Sequence, residues 1–182
     1  MPNFRRWYQP GGTYFFTVVT YRRRQILTRP IARRCLRAAM RSVAADEPFE
    51  TLALVLLPDH LHAIWALPPG DDRFSRRWQA IKAGFSHAYL ASGAAQSAVT
   101  ESQASDRRRG VWQRRFWEHL VRDEDELAAL CDYIHYNPVK HGYTRAPADW
   151  PWSTFHRFRA AGEYEADWGR SEPASVAALD FE

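Results

Sequence analysis

Cysteine is nearly absent from this 182-residue chain, with Cys35 and Cys131 the only two. That excludes a disulfide framework and a cysteine-based zinc site, and it makes the reduced cytoplasm the expected compartment. Lysine is almost missing too, confined to Lys82 and Lys140, so arginine supplies the rest of the 25 basic residues. No apolar run reaches the about 18 residues that a membrane-spanning helix requires, so no membrane partner is expected. The opening Met1-Pro2-Asn3-Phe4-Arg5-Arg6-Trp7 lacks the apolar stretch of a secretory leader, and none is expected. Acidic residues do not occur in positions 1–45, where ten arginines do.

What is present is aromatic and unevenly charged. Hydrophobic residues make up 46% of the chain, with 8 Trp, 8 Tyr and 10 Phe, enough for one packed domain and too much for global disorder. The net charge of +4 conceals an asymmetry. Against the arginine-rich start stands an end bearing Glu163, Glu165, Asp167, Glu172, Asp180 and Glu182, with Arg170 alone of opposite sign. The reading is a single domain over 1–162 followed by an acidic tail, 163–182. Forked, planar guanidinium groups match phosphate and stack on bases, so a polyanionic partner is expected. The tail is a candidate cover for the basic surface, to be weighed against a merely solvated terminus.

Periodicity divides the chain into alternating elements. Thr13–Tyr21 is β-branched and aromatic after Gly11-Gly12 and reads as a buried strand. A helix from Pro30 to about Ala45 follows, with Ile31, Cys35, Leu36, Ala39 and Val43 on one face. Phe49–Leu57 and His60–Leu67 are strands joined by the tight turn at Pro58-Asp59, hence an antiparallel hairpin. A second helix spans Arg73–Leu90, its apolar stripe being Phe74, Trp78, Ile81, Phe85 and Tyr89, with Arg76, Arg77 and Lys82 off it. Residues 92–109, rich in Ala and Ser, read as a flexible loop. Val111–Val121 is a fourth strand. A third helix opens on the acids 123–126 and stops at Asn137, since Pro138 disfavours helical geometry before it. The order β-α-β-β-α-β-α predicts an α+β fold, an antiparallel sheet with helices packed mainly on one face.

Two short stretches carry the chemistry. His60 and His62 lie two apart on a strand, so both imidazoles project from one face and can share a metal ion. Tyr133 and Asn137 are one helical turn apart and share a face. A phenol is a poor nucleophile until its target is polarised, which a metal on a phosphate oxygen does. Tyr136 is an equally placed rival by spacing alone. Together the two stretches point to cleavage of nucleic acid.

Five ordered blocks resemble the REP-associated tyrosine transposases of the HUH superfamily of single-strand DNA nucleases. They are Arg5-Arg6-Trp7-Tyr8 with Gly11–Val18, Leu57–His62, Trp112–His119, Asp132–Gly142 and Asp149–His156. The resemblance implies a ferredoxin-like core with Tyr133 as the nucleophile. It implies His60, His62 and Asn137 as ligands of Mg²⁺ or Mn²⁺. It also implies a monomer rather than the domain-sharing dimer of some relatives. Hairpin-bearing single-stranded DNA is then expected on Arg5, Arg6, Trp7, Tyr8, Arg22, Arg23, Arg24, Arg76, Arg77, Lys82, Arg114 and Arg115, with Trp7 and Tyr8 stacking bases. Attack by Tyr133 would form a 5′-phosphotyrosine and release a 3′-hydroxyl, with no nucleotide cofactor. A hairpin-binding protein without catalysis, and a metal phosphodiesterase that activates water, are the alternatives.

Overall fold

Four strands, β1 (Thr13–Val19), β2 (Glu50–Leu56), β3 (His60–Ala66) and β4 (Trp117–Leu120), form one antiparallel sheet in the computed structural model, which describes residues 8–95 and 110–177. Their order is β2-β3-β1-β4. With helices α1 (Pro30–Asp46) and α2 (Phe74–Ala91) as the two crossovers, this is the ferredoxin-like arrangement that the element order predicts. Arg5, Arg6, Trp7 and most of the expected loop, 96–109, lie outside the described residues.

The central strands are buried on both faces, which is why β1 and β3 are almost continuously apolar rather than alternating. On one face Tyr14, Phe16 and Val18 of β1 join Leu61, Ala63 and Trp65 of β3 under α1 and α2. The stripe expected on α2 is all buried there. On the other face Phe15, Ala53, Val55 and Ile64 pack against a third long helix, α3 (Glu124–Lys140). Two of the three long helices thus share a face, and the third occupies the opposite one by itself.

Three expectations are corrected. First, α3 does not stop at Asn137 but runs on to Lys140 with Pro138 inside it. The turn survives because Asn137 and Pro138 still offer their carbonyls, to His141 N at 3.0 Å and Tyr143 N at 2.9 Å. Second, β4 is four residues long rather than eleven. Upstream the pairing is reduced to an isolated bridge of Trp112 with Thr20, in which Gln113 N donates to the Val19 carbonyl at 3.0 Å, because Gln113-Arg114-Arg115 breaks the apolar alternation. Third, the segment after residue 162 is not a detached tail as far as it is described. Trp168 and Val176 pack into the α3 core, and Ser175 donates to Asp132 at 2.6 Å. Apolar side chains among the acids hold this stretch to α3 and to the short helix α4 (Phe155–Ala160). Residues 178–182 lie outside the described residues.

Candidate active site

β3 begins at His60, straight after the hairpin turn, where Leu57 N–H donates to the His60 carbonyl at 2.9 Å. Alternation then sends His60, His62 and Ile64 to the α3 face. Both imidazoles are held from behind. His60 Nδ1 is 2.7 Å from Asp59 Oδ1, and His62 Nδ1 is 2.9 Å from Thr17 Oγ1. Thr17 stands opposite His62 in the β1–β3 ladder, so the sheet register itself sets that bond. Asp59 is anchored in turn: Arg23 Nη1 donates to its Oδ2 at 3.1 Å, and Thr20 Oγ1 donates to its carbonyl at 2.8 Å. Burial pushes the Asp59 carboxyl up, but the hydrogen bond and charge of His60, then those of Arg23, outweigh it and hold it below the usual carboxylate value. With both Nδ1 atoms engaged, the buried Nε2 atoms are the ones each ring presents to a ligand.

The facing helix supplies a stripe at i, i+4 and i+8: Tyr133, Asn137 and the capping residue His141. The Tyr133 ring meets His62 edge-on, centroids 5.4 Å apart, and rests against Phe15 at 6.0 Å. His141 meets His60 at 5.2 Å. Asn137 lies between these two contacts on the stripe and so faces the histidine pair. It is fully buried, and neither amide atom has a hydrogen-bond partner among the described residues. Lys140 Nζ sits 4.9 Å from the Tyr133 ring centroid. Tyr136 is turned elsewhere: its ring lies beside Gly169, and burial, then Glu172, push its phenol up.

The position of α3 is fixed at several points. Asp123 caps its start by accepting from Glu126 N at 2.8 Å. His135, in mid-helix, lies 2.8 Å from both Tyr164 Oη and Thr154 Oγ1. Burial, then the charges of Arg157 and His156, push His135 down to about 3, so it serves as a neutral strut.

The donors fit a small divalent cation. Two imidazole nitrogens and one carboxamide suit ions of intermediate hardness, and a fully buried Asn137 amide with no hydrogen-bond partner among the described residues is what a ligand position would leave. Among the described residues no group of three His, Cys, Asp or Glu side chains is set to hold a metal.

The basic residues divide more sharply. Arg22 and Arg23, both in the left-handed region at φ 54° and 49°, form a strained turn beside the site, and Arg24 donates to the Ala95 carbonyl at 3.0 Å. Arg114 and Arg115 are exposed, and Tyr8 is exposed with one face stacked on Phe74 at 5.2 Å. Arg77 must be withdrawn from the DNA surface. Its side chain is buried, paired with both oxygens of Asp71 at 2.7 and 3.0 Å, and it donates to the carbonyls of Glu47 and Pro48. Lys82 is bonded to the carbonyls of Gln113 and Arg114, and Arg76 pairs with Glu47 at 2.6 Å. All three lie on α2, across the sheet from Tyr133. Thr17, Asp59, Lys140 and His141 also belong to the site; the resembling blocks contain all four, but the sequence assigns none of them a role.

A histidine pair on the central strand of a ferredoxin-like sheet, faced by a helix that aims one tyrosine at it, defines a single-tyrosine nucleotidyl-transfer site. Residues 10–137 match the family described as "Transposase IS200 like". A REP-associated tyrosine transposase of Escherichia coli K12 is 45% identical over 92% of this chain and 91% of its own length. A relative from Haemophilus influenzae, described as a "Putative REP-associated tyrosine transposase", is 44% identical over 93% of this chain and 94% of its own length. A solved structure of a REP-associated tyrosine transposase bound to a REP hairpin superposes with a TM-score of 0.77, at 42% identity and 96% coverage of each chain. The chain belongs to the IS200-like transposases and, within them, to the REP-associated tyrosine transposases.

Proposed function

We infer that this chain cuts and rejoins single-stranded, hairpin-bearing DNA through Tyr133. The observation that carries the reading is the edge-on approach of Tyr133 to His62, at 5.4 Å, on the one face of the sheet where His60, Asn137 and His141 also converge. The hairpin enters from what the relative of known structure binds.

The chain's own groups account for most of the step. Asp59 and Thr17 lock the two imidazoles in orientation, so each offers Nε2 without rearrangement. Tyr133 Oη attacks phosphorus, the bond to the 3′-oxygen breaks, and the proton lost by the phenol is matched by the one the 3′-hydroxyl gains. One phosphodiester is exchanged for another, so no nucleotide cofactor is needed. Lys140, over the tyrosine ring, supplies positive charge as the phenol's proton leaves. Mg²⁺ or Mn²⁺ held by His60, His62 and Asn137 would stabilise charge on the phosphate oxygens. Tyr133 is fully buried in the free chain, so DNA entry follows an opening at this face. Cleavage is read as the work of a monomer on cytoplasmic DNA, with the nucleophile and its partners drawn from one chain.

The test is a denaturing gel of wild type, Tyr133→Phe and Tyr136→Phe with labelled hairpin DNA, with Mn²⁺ present or chelated. A covalent band in wild type and Tyr136→Phe, absent from Tyr133→Phe, is expected. Binding without any band would leave a hairpin-binding protein, and cleavage that persists in Tyr133→Phe would leave a water-activating phosphodiesterase.

A further inference from the structure

Beside β2, the edge strand, a groove of about 620 Å³ runs between α1 and residues 151–154. Leu54 and Leu56 form part of its floor, while Arg33, Arg34, Arg37 and Arg41 line it along α1, and none of the described residues lining it is acidic. Arg33, Arg37 and Arg41 recur at every fourth position, so they stand about 6 Å apart along the helix axis. Arg34, Arg37 and Arg41 are exposed and engage no group within the described residues. Among the described residues their charge is therefore uncommitted, unlike that of Arg77 or Lys82.

The groove is joined to the active site by a row of rings. The Arg33 guanidinium lies 4.7 Å from the Trp152 ring centre, and Trp150 follows at 4.8 Å. Tyr143 stacks on Trp150 at 5.5 Å, His141 lies 5.9 Å further on, and His60 is 5.2 Å beyond that. Tyr143 is 37% exposed, one of two large apolar side chains so exposed among the described residues. Cations at a regular repeat, continuous with an exposed ring, meet the needs of a single nucleic-acid strand, whose phosphates seek charge and whose bases seek a flat apolar face. A duplex hides its bases, so a hairpin stem could use the arginines but not Tyr143.

We propose that the single-stranded DNA flanking the cleaved bond leaves the Tyr133 site over His141 and Tyr143, rounds the β2 edge, and lays its phosphates along Arg34, Arg37 and Arg41. This rests on the DNA-cleaving reading above. It adds a second contact region on the opposite face of the sheet from the nucleophile, one that measures flank rather than hairpin.

The test is fluorescence anisotropy on the full chain carrying Tyr133→Phe, so that no adduct forms, with a bare hairpin and with the same hairpin extended by about ten unpaired nucleotides. Adding Arg34→Gln, Arg37→Gln and Arg41→Gln together is expected to weaken the extended probe roughly 10- to 100-fold at about 0.1 M salt, and to reduce its log–log salt slope by about 2. The bare hairpin should bind as before. Tyr143→Ala should remove about fivefold of the gain that the extension confers. Equal losses on both probes would place the stem in the groove and overturn the proposal, as would an extension gain untouched by the substitutions. A parent chain that binds neither probe would instead remove the DNA reading itself and this inference with it.

Discussion

Thr17 Oγ1 and His62 Nδ1 lie 2.9 Å apart across directly paired positions of β1 and β3. The hydroxyl holds the His62 ring by Nδ1 and leaves Nε2 as the atom it offers a ligand. Thr17→Val keeps the side-chain shape and removes only this bond. Adduct formation should fall about 10- to 100-fold, the usual cost of losing a group that orients a metal-binding histidine. Hairpin affinity measured without metal should not change; a parallel loss there would mean that Thr17 supports the strand rather than the ring.

Arg77 offers a contrast between charge that binds a ligand and charge that holds a fold. Its guanidinium satisfies carbonyls at the end of α1 and keeps the Asp71 carboxyl well below the usual carboxylate range. Arg77→Met leaves the half-buried Asp71 with only Arg73 beside it and the Glu47 and Pro48 carbonyls without their donor, and should cost about 2–3 kcal/mol in urea unfolding. The folded fraction should bind hairpin DNA normally.

The pH dependence of stability should carry a signature of Glu126. Hydrogen bonds from Arg122 lower its carboxyl most, with burial opposing, to about 2 from 4.5. Between those values the unfolded chain binds the extra proton, so the stabilisation is complete above pH 4.5 and is lost as pH falls toward 2. Glu126→Gln should therefore lower stability by about 2 kcal/mol at neutral pH, discounted for partial solvent screening. Urea midpoints of the two proteins should converge as the pH drops below 4; a constant gap would mean that the loss is not electrostatic.

Gly169 sits at φ +76°, where an added Cβ would come within 2.6 Å of Pro147 Cγ. Gly169→Ala should cost about 2 kcal/mol, from left-handed strain and this clash together. Thermal melting checks it, and an unchanged midpoint would return the segment after residue 162 to a solvated tail.

Legibility in the sequence followed distance along the chain. His60 with His62, and Tyr133 with Asn137, are patterns within single elements, where strand and helix periods alone decide which side chains share a face. Thr17 is 45 residues from His62, and only the ladder register brings them together. Arg77 flanks the apolar stripe of α2, so helical spacing alone puts it at the surface; the carbonyls that draw it inward belong to another helix end. Pro138 stops hydrogen bonding from its own nitrogen but not to the carbonyls around it, so the helix gains a last turn that carries Lys140 and His141 to the site.

Because β3 is sandwiched, its two sides are not interchangeable. Inserting or deleting one residue upstream in the strand would swing both imidazoles into the α1–α2 core and present Leu61 and Ala63 to Tyr133. Lineages of this fold can therefore relocate the histidine pair only in steps of two residues, and the Pro58-Asp59 turn that holds His60 must keep its length as well.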